Sequence, residues 1–206
     1  NMRSSINRII LLHFRQVTVN LEDVRVRKTI LGFILSLPLF AAAADLPEMV
    51  IGKKKAEPGI SLTFEGAIKD DVQPSQTFGL ESESDIHIEV IATWNEFAPR
   101  GAVVGGFVPY LDITAVIKNQ DSAEEILVRL DPHLNLSDNF HYARNTKLPG
   151  ARDGVYTVTF SVNGPEPSMV GLHYDWRVEV GDSLLDGETF EFTDLDFSQI
   201  AGSRRR

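Results

Sequence analysis

Beyond residue 58 the apolar and polar positions of the chain alternate in short runs: Ile60 to Phe64, Ile86 to Trp94, Val108 to Ile117, Glu124 to Leu130, Val155 to Val162, Leu172 to Val180 and Thr189 to Phe197. A period of two is the mark of β-strands with one face buried and one face polar. Turn-forming residues separate the runs, among them Asp70-Asp71, Pro99-Arg100-Gly101, Asn119-Gln120-Asp121, Pro149-Gly150, Asn163-Gly164-Pro165 and Gly181-Asp182. No long stretch repeats at the helical period. About seven short strands over roughly 150 residues predict an all-β, immunoglobulin-like β-sandwich in a single domain.

The domain is expected over residues 59–200, preceded by a lead-in at 45–58 and followed by a short basic tail at 201–206, which reads as a free end. Residues 24–44 have a different character. Arg25, Arg27 and Lys28 precede an apolar run from Ile30 to Phe40, and four alanines, Ala41 to Ala44, follow before Asp45. That is the order of a secretory signal peptide, with cleavage expected near Ala43 or Ala44. The apolar run is well short of the ~20 residues that span a bilayer. Export to the periplasm, without membrane insertion after cleavage, is the expected outcome. Residues 1–23 look foreign to this signal and read as a non-native or upstream segment.

Composition narrows the chemistry. There is no cysteine, which excludes thiolate metal sites, disulfide scaffolds and blue-copper centres, so any metal must be held by nitrogen and oxygen. Of the 20 basic and 29 acidic side chains, six and two fall in residues 1–44, leaving 14 against 27 in residues 45–206. So acidic a domain disfavours a nucleic-acid partner. No nucleotide-binding or nucleophile-elbow motif is present, and Gly101 to Gly106 precedes a strand and reads as a hairpin connection.

The remaining signal lies in the histidines. In Asp85-Ile86-His87-Ile88-Glu89-Val90, strand geometry sends Ile86, Ile88 and Val90 to one face and His87 and Glu89 to the other. Two residues apart on one face, an imidazole and a carboxylate stand roughly 7 Å apart at the backbone and can lean onto one ion. His133 and His141 bracket a turn-rich segment that can bring them back together, and His173 opens the run beginning at Leu172. Each of these histidines taken singly is better explained as an ordinary hydrogen-bonded or partly buried residue than as a ligand.

The blocks Ser84-Asp85-Ile86-His87-Ile88-Glu89, Val108-Pro109-Tyr110-Leu111, Ser137-Asp138 leading to His141-Tyr142, Tyr156-Thr157-Val158-Thr159 and Gly171-Leu172-His173 occur in an order that resembles the periplasmic high-affinity iron-transport family, from about Gly59 to Phe197. Members of that family are soluble metal-binding proteins that work beside an inner-membrane iron permease. The resemblance implies a metal site at His87, Glu89, His133, His141 and His173, a homodimer, and the permease as partner. The family usually has methionine where this chain has His133, with Leu134 the competing position. An imidazole in place of a thioether shifts preference from Cu(I) towards Cu(II), Zn(II) or Fe(II). The implied cargo is a transition-metal ion, Cu(II) and/or iron, with Zn(II) bound in vitro. Because imidazoles must be neutral to bind, affinity is expected to weaken below about pH 6.5.

Other functions fit parts of this pattern. A periplasmic copper chaperone or copper-resistance protein uses the same sandwich and histidines. A non-metal immunoglobulin-like interaction module has incidental histidines. A metalloenzyme ranks last, since no separate nucleophile, general base or substrate pocket is visible.

Overall fold

The protein is described by a computed structural model over residues 48–205. The upstream segment 1–23 and the signal peptide 24–44, with its cleavage near Ala43 or Ala44, lie outside the described residues. Eight strands run β1 (Glu48–Ala56), β2 (Ile60–Ile68), β3 (Ile86–Trp94), β4 (Asp112–Asn119), β5 (Glu125–Leu134), β6 (Phe140–Thr146), β7 (Val155–Asn163) and β8 (Glu188–Asp196). Among the described residues three short α-helices accompany them, α1 (Ser75–Phe78) and α2 (Tyr174–Glu179) within connections and α3 (Ser198–Gly202) after β8. Among the described residues, no helix is long and apolar enough to cross a membrane.

All pairings are antiparallel and the hydrogen-bonded order is β1-β2-β3-β6-β5-β4-β7-β8. The first part of β5, Glu125 to Leu130, pairs with β4, and its second part, Asp131 to Leu134, pairs with β6. One strand therefore serves two sheets. On one side of that crossing lie β2-β3-β6-β5, on the other β4-β7-β8, which is the A-B-E-D and C-F-G arrangement of the immunoglobulin fold with β1 added beside β2. Tyr156, at the start of β7, donates its hydroxyl to the carbonyl of Ala151 five residues upstream. This is the tyrosine corner found at the same place in immunoglobulin-like domains.

The alternation that predicts the strands also builds the core. Ile60, Leu62 and Phe64 of β2, Ile86, Ile88 and Val90 of β3, Ile113, Ala115 and Ile117 of β4, and Tyr156, Val158, Phe160 and Val162 of β7 are all buried. The Phe64 ring lies 4.6 Å from Phe160, 5.4 Å from Phe190 and 5.2 Å from Phe192, so it joins the two layers. The outer strands also approach each other. At Gly52, where the β1 register shifts, an added Cβ would stand 2.2 Å from the Phe192 ring of β8. A bulge with no side chain is what lets that aromatic ring close the gap.

Four expectations need correction. The run Leu172 to Val180, predicted as a strand, contains the helix α2 and lies outside the sheet. Its alternation has no layer to rest on: Tyr174 is 75% and Val178 65% exposed, and only Trp176 packs against the core, its Nε1 donating to the Ser183 carbonyl at 3.0 Å. Two strands were not expected, β1 within the lead-in and β6. The strand predicted from Val108 begins at Asp112, because Val108 to Leu111 bond the Tyr142 hydroxyl instead: it donates to the Val108 carbonyl at 2.7 Å and accepts from the Leu111 amide at 3.0 Å. The basic tip is also held, since Arg205 lies 2.8 Å from the Asp70 carboxylate.

Candidate metal centre

Three neighbouring strands, β3, β6 and β5, build the site on the face of their sheet turned away from the core. On β3, His87 and Glu89 point outward between the inward Ile86, Ile88 and Val90. In the ladder His87 stands opposite Asn145 and Glu89 opposite Ala143. On β6 the same face carries His141, Ala143 and Asn145. His133 of β5 faces His141 directly across the next ladder, two pairs along from Asp131 and Ala143. The small side chain of Ala143 thus occupies the middle of a face whose surrounding positions carry ligand-type groups.

An outward face would ordinarily be wet, yet His87 is 4%, Glu89 3%, His133 7% and His141 2% exposed. Residues 70–79 pass over the face and cover it, and the Phe78 ring meets the His133 ring edge-on at 4.8 Å between centroids. What remains is a pocket of about 430 Å³ lined by the three imidazoles, Glu89, Phe78 and Asp138, among others.

Nitrogen atoms of His87, His133 and His141 all lie within 4.8 Å of one another. The Glu89 Oε2 atom is 3.8 Å from His87 Nε2 and 3.6 Å from His141 Nε2. A transition metal bonds imidazole nitrogen at about 2.0–2.1 Å, which places tetrahedral ligand atoms roughly 3.4 Å apart. The trio, within 4.8 Å of one another, would have to close by up to roughly 1.4 Å to reach that spacing.

Several polar atoms of the cluster are also unused. Both ring nitrogens of His133, Nδ1 of His141 and Oε1 of Glu89 are buried with no hydrogen-bond partner. Each such atom costs about 1–3 kcal/mol relative to a satisfied one, and native proteins keep few of them. A bound cation would satisfy several at once.

Burial sets the protonation states. It lowers His87 and His133 to about 4 from an ordinary 6.5, and it lowers His141 too, with the negative charge of Asp138 opposing. Burial raises Glu89 to about 8, reinforced by the charges of Glu65, Asp138 and Glu48. At neutral pH the metal-free cluster therefore holds three neutral imidazoles and a protonated carboxyl. Neutral imidazole is the form that ligates, and the Glu89 proton is the one an incoming cation would displace. Its two negative neighbours on the pocket wall, Glu65 apart, favour a cation once that proton is gone.

Of the five residues predicted from sequence, His87, Glu89, His133 and His141 come together. His173 does not: it caps the N-terminus of α2 and is exposed, outside the pocket. Leu134, the competitor of His133, is 65% exposed at the edge of the same pocket and carries no ligand atom. Sequence reasoning missed Asn145, whose Oδ1 is 2.9 Å from His87 Nδ1, and Phe78 against His133. Asn145 lies at period two from His141, so the signal exists once β6 is known to be a strand.

A family model described as "Fe2+ transport protein" matches residues 45–199. Among curated proteins, the "34 kDa membrane antigen" of Treponema pallidum is 34% identical over 109 residues, covering 52% of this chain. The match spans half of that antigen's length. A UPF0423 protein of Brucella abortus is 27% identical over 150 residues, covering 71% of this chain and 80% of its own. Among solved structures, a copper-bound variant of Campylobacter jejuni P19 superposes with a TM-score of 0.61 at 25% identity, covering 72% of this chain and 96% of P19. FetP of uropathogenic Escherichia coli strain F11, expressed in the periplasm, gives 0.58 at 25% identity, covering 72% of this chain and 95% of FetP.

Proposed function

Because the chain belongs to the Fe2+ transport protein family, we propose that it is a periplasmic transition-metal-binding protein that serves high-affinity iron uptake beside an inner-membrane iron permease. The observation that carries this reading is the buried cluster of His87, His133 and His141, with unbonded nitrogens on His133 and His141, next to a carboxyl that burial keeps protonated at neutral pH. The copper-bound P19 variant and the periplasmic FetP support it by their likeness in fold.

In this reading His87, His133 and His141 hold the ion and Glu89 completes the set on losing its proton. Nitrogen and oxygen ligands follow the Irving–Williams order, so Cu(II) binds most tightly in vitro whatever the physiological cargo, with Fe(II) and Zn(II) weaker. His173, remote from the trio within one chain, joins the site only from a second copy, as the implied homodimer allows. No catalytic step belongs to this function.

Titration of the metal-free protein with Cu(II), Fe(II) and Zn(II) tests the core of the proposal. His87→Ala and His141→Ala should abolish tight binding of all three. His173→Ala should weaken binding only under conditions where light scattering shows a dimer. Absence of affinity for any of the ions in the unaltered protein would return the chain to the class of plain interaction modules.

The copper-bound state of the P19 neighbour favours one second reading, a copper chaperone or copper-resistance protein using the same ligands. A deletion strain that grows poorly under copper stress and normally under iron starvation selects it. The reverse pattern selects iron uptake.

A further inference from the structure

Asn145 makes four hydrogen bonds with one side chain. Its amide nitrogen donates to the Asp70 carbonyl at 2.6 Å and to the Gly79 carbonyl at 3.0 Å. Its Oδ1 accepts from the Asp70 amide at 3.2 Å and lies 2.9 Å from His87 Nδ1. Both donors are committed to carbonyls, which accept only, so the amide cannot be turned round without losing two bonds and opposing a third. With Oδ1 held towards His87, the hydrogen bond open to Nδ1 of that ring is one that its Nδ1–H donates.

We propose that Asn145 is a positioning residue for the metal centre: it fixes His87 as the Nδ1–H tautomer, so that the Nε2 lone pair faces the other imidazoles, and it pins the covering segment 70–79 over the site. The inference rests on the metal-binding reading of the same cluster.

The two roles are coupled through geometry. The amide acts as a peptide unit would in a ladder, donating to the carbonyl and accepting from the amide of the same residue, Asp70. The covering segment also carries Phe78, the ring against His133. At its end Gly79 has φ +91, and an added Cβ there would stand 2.6 Å from the Asn145 carbonyl oxygen. The segment is thus seated closely on the residue that orients one ligand while it contacts a second. His87 Nε2, left without a proton, then faces Glu89 Oε2 at 3.8 Å, beside His141 Nε2 at 3.6 Å from the same oxygen. Outer-shell partners that fix a ligating histidine in this way typically contribute roughly 10- to 100-fold to metal affinity.

The test compares Asn145→Leu and Asn145→Asp with the unaltered protein. The His87 tautomer is read in the metal-free state by long-range proton–nitrogen correlation, and Cu(II) affinity by competition. Asn145→Leu should bring His87 to a mixture of tautomers or to Nε2–H and lower Cu(II) affinity roughly 10- to 100-fold. Asn145→Asp keeps the acceptor and loses the two donors. It should keep the Nδ1–H form and hold affinity closer to that of the unaltered protein, while amide exchange across residues 70–79 accelerates. An Nε2–H tautomer in the unaltered protein, or an unchanged tautomer with affinity within twofold in a folded Asn145→Leu, overturns the proposal. The tautomer is measured without metal, so failure of the unaltered protein to bind Cu(II) sinks the metal-binding reading separately.

Discussion

His133 and His141 occupy directly opposed positions in the β5–β6 ladder, and their rings lie 5.8 Å apart at 70° to each other. Neither the β5–β6 hairpin nor the core beneath needs imidazole there, and both nitrogens of His133 lie buried without partners. The pair is costly to the metal-free fold and suited to an ion.

His133→Leu should therefore raise the stability of the metal-free protein while removing tight metal binding. Eliminating two buried, unbonded polar atoms removes a cost of about 1–3 kcal/mol for each, and a thermal melt reads a rise of about 2–4 °C per kcal/mol gained in a domain of this size. His133→Met should keep the site and shift its preference from Cu(II) towards Cu(I), seen as a change in the ratio of the two affinities. A melting temperature that drops in His133→Leu would show that the ring is needed for packing.

The pH dependence of the metal-free fold has two opposed branches. Glu89 is raised from 4.5 to about 8 on folding, so its contribution is full below pH 4.5 and is lost as pH rises through 8. His87 and His133 are lowered from 6.5 to about 4, so their contribution is present above 6.5 and is lost as pH falls towards 4. Above 6.5 only the carboxyl acts, and below it two imidazoles outweigh one carboxyl, at about 1.4 kcal/mol per pH unit per proton. The site's contribution to stability should peak near pH 6.5, and Glu89→Gln should flatten the branch above it. Melting curves from pH 4.5 to 8 check both statements.

Metal binding follows a different proton. The sequence places competition at the ordinary imidazole value, but burial leaves His87 and His133 already neutral at pH 5. Between pH 6.5 and 8, above the ordinary imidazole value from which His141 too is lowered, the competing proton belongs to Glu89. Cu(II) affinity should rise about tenfold per pH unit up to about 8 and then level, with one proton released per ion. Calorimetry in buffers of different ionisation enthalpy counts that proton, and Glu89→Gln should remove it.

Tyr156→Phe removes the bond from the tyrosine corner to Ala151 and nothing near the histidines. It should cost about 0.5–1.5 kcal/mol in denaturant unfolding and leave Cu(II) affinity unchanged.

The histidine and carboxylate of the site were visible in sequence because His87 and Glu89 sit on a strand whose other face, Ile86, Ile88 and Val90, is plainly apolar. β6 was not visible, for a reason rooted in the site itself. The outward face of Phe140–Thr146 is His141, Ala143 and Asn145, all buried under residues 70–79, while the inward face includes Arg144. Neither face reads as apolar, so the alternation that marks a strand is absent. β1 was masked by Lys53, Lys54 and Lys55, the charged run of an edge strand. Leu172 to Val180 failed in the opposite direction. Its alternation is regular, but nine residues of pattern cannot reveal that no sheet receives them.

A strand shared by two sheets also decides how the molecule comes apart. Peeling one layer from the other requires β5 either to tear between Leu130 and Asp131 or to withdraw His133 from its place opposite His141. Loosening the hydrophobic interior and dispersing the imidazoles are then a single cooperative event. An ion gripped by the histidines would act as a rivet, slowing rupture at a seam far from most of the apolar interior.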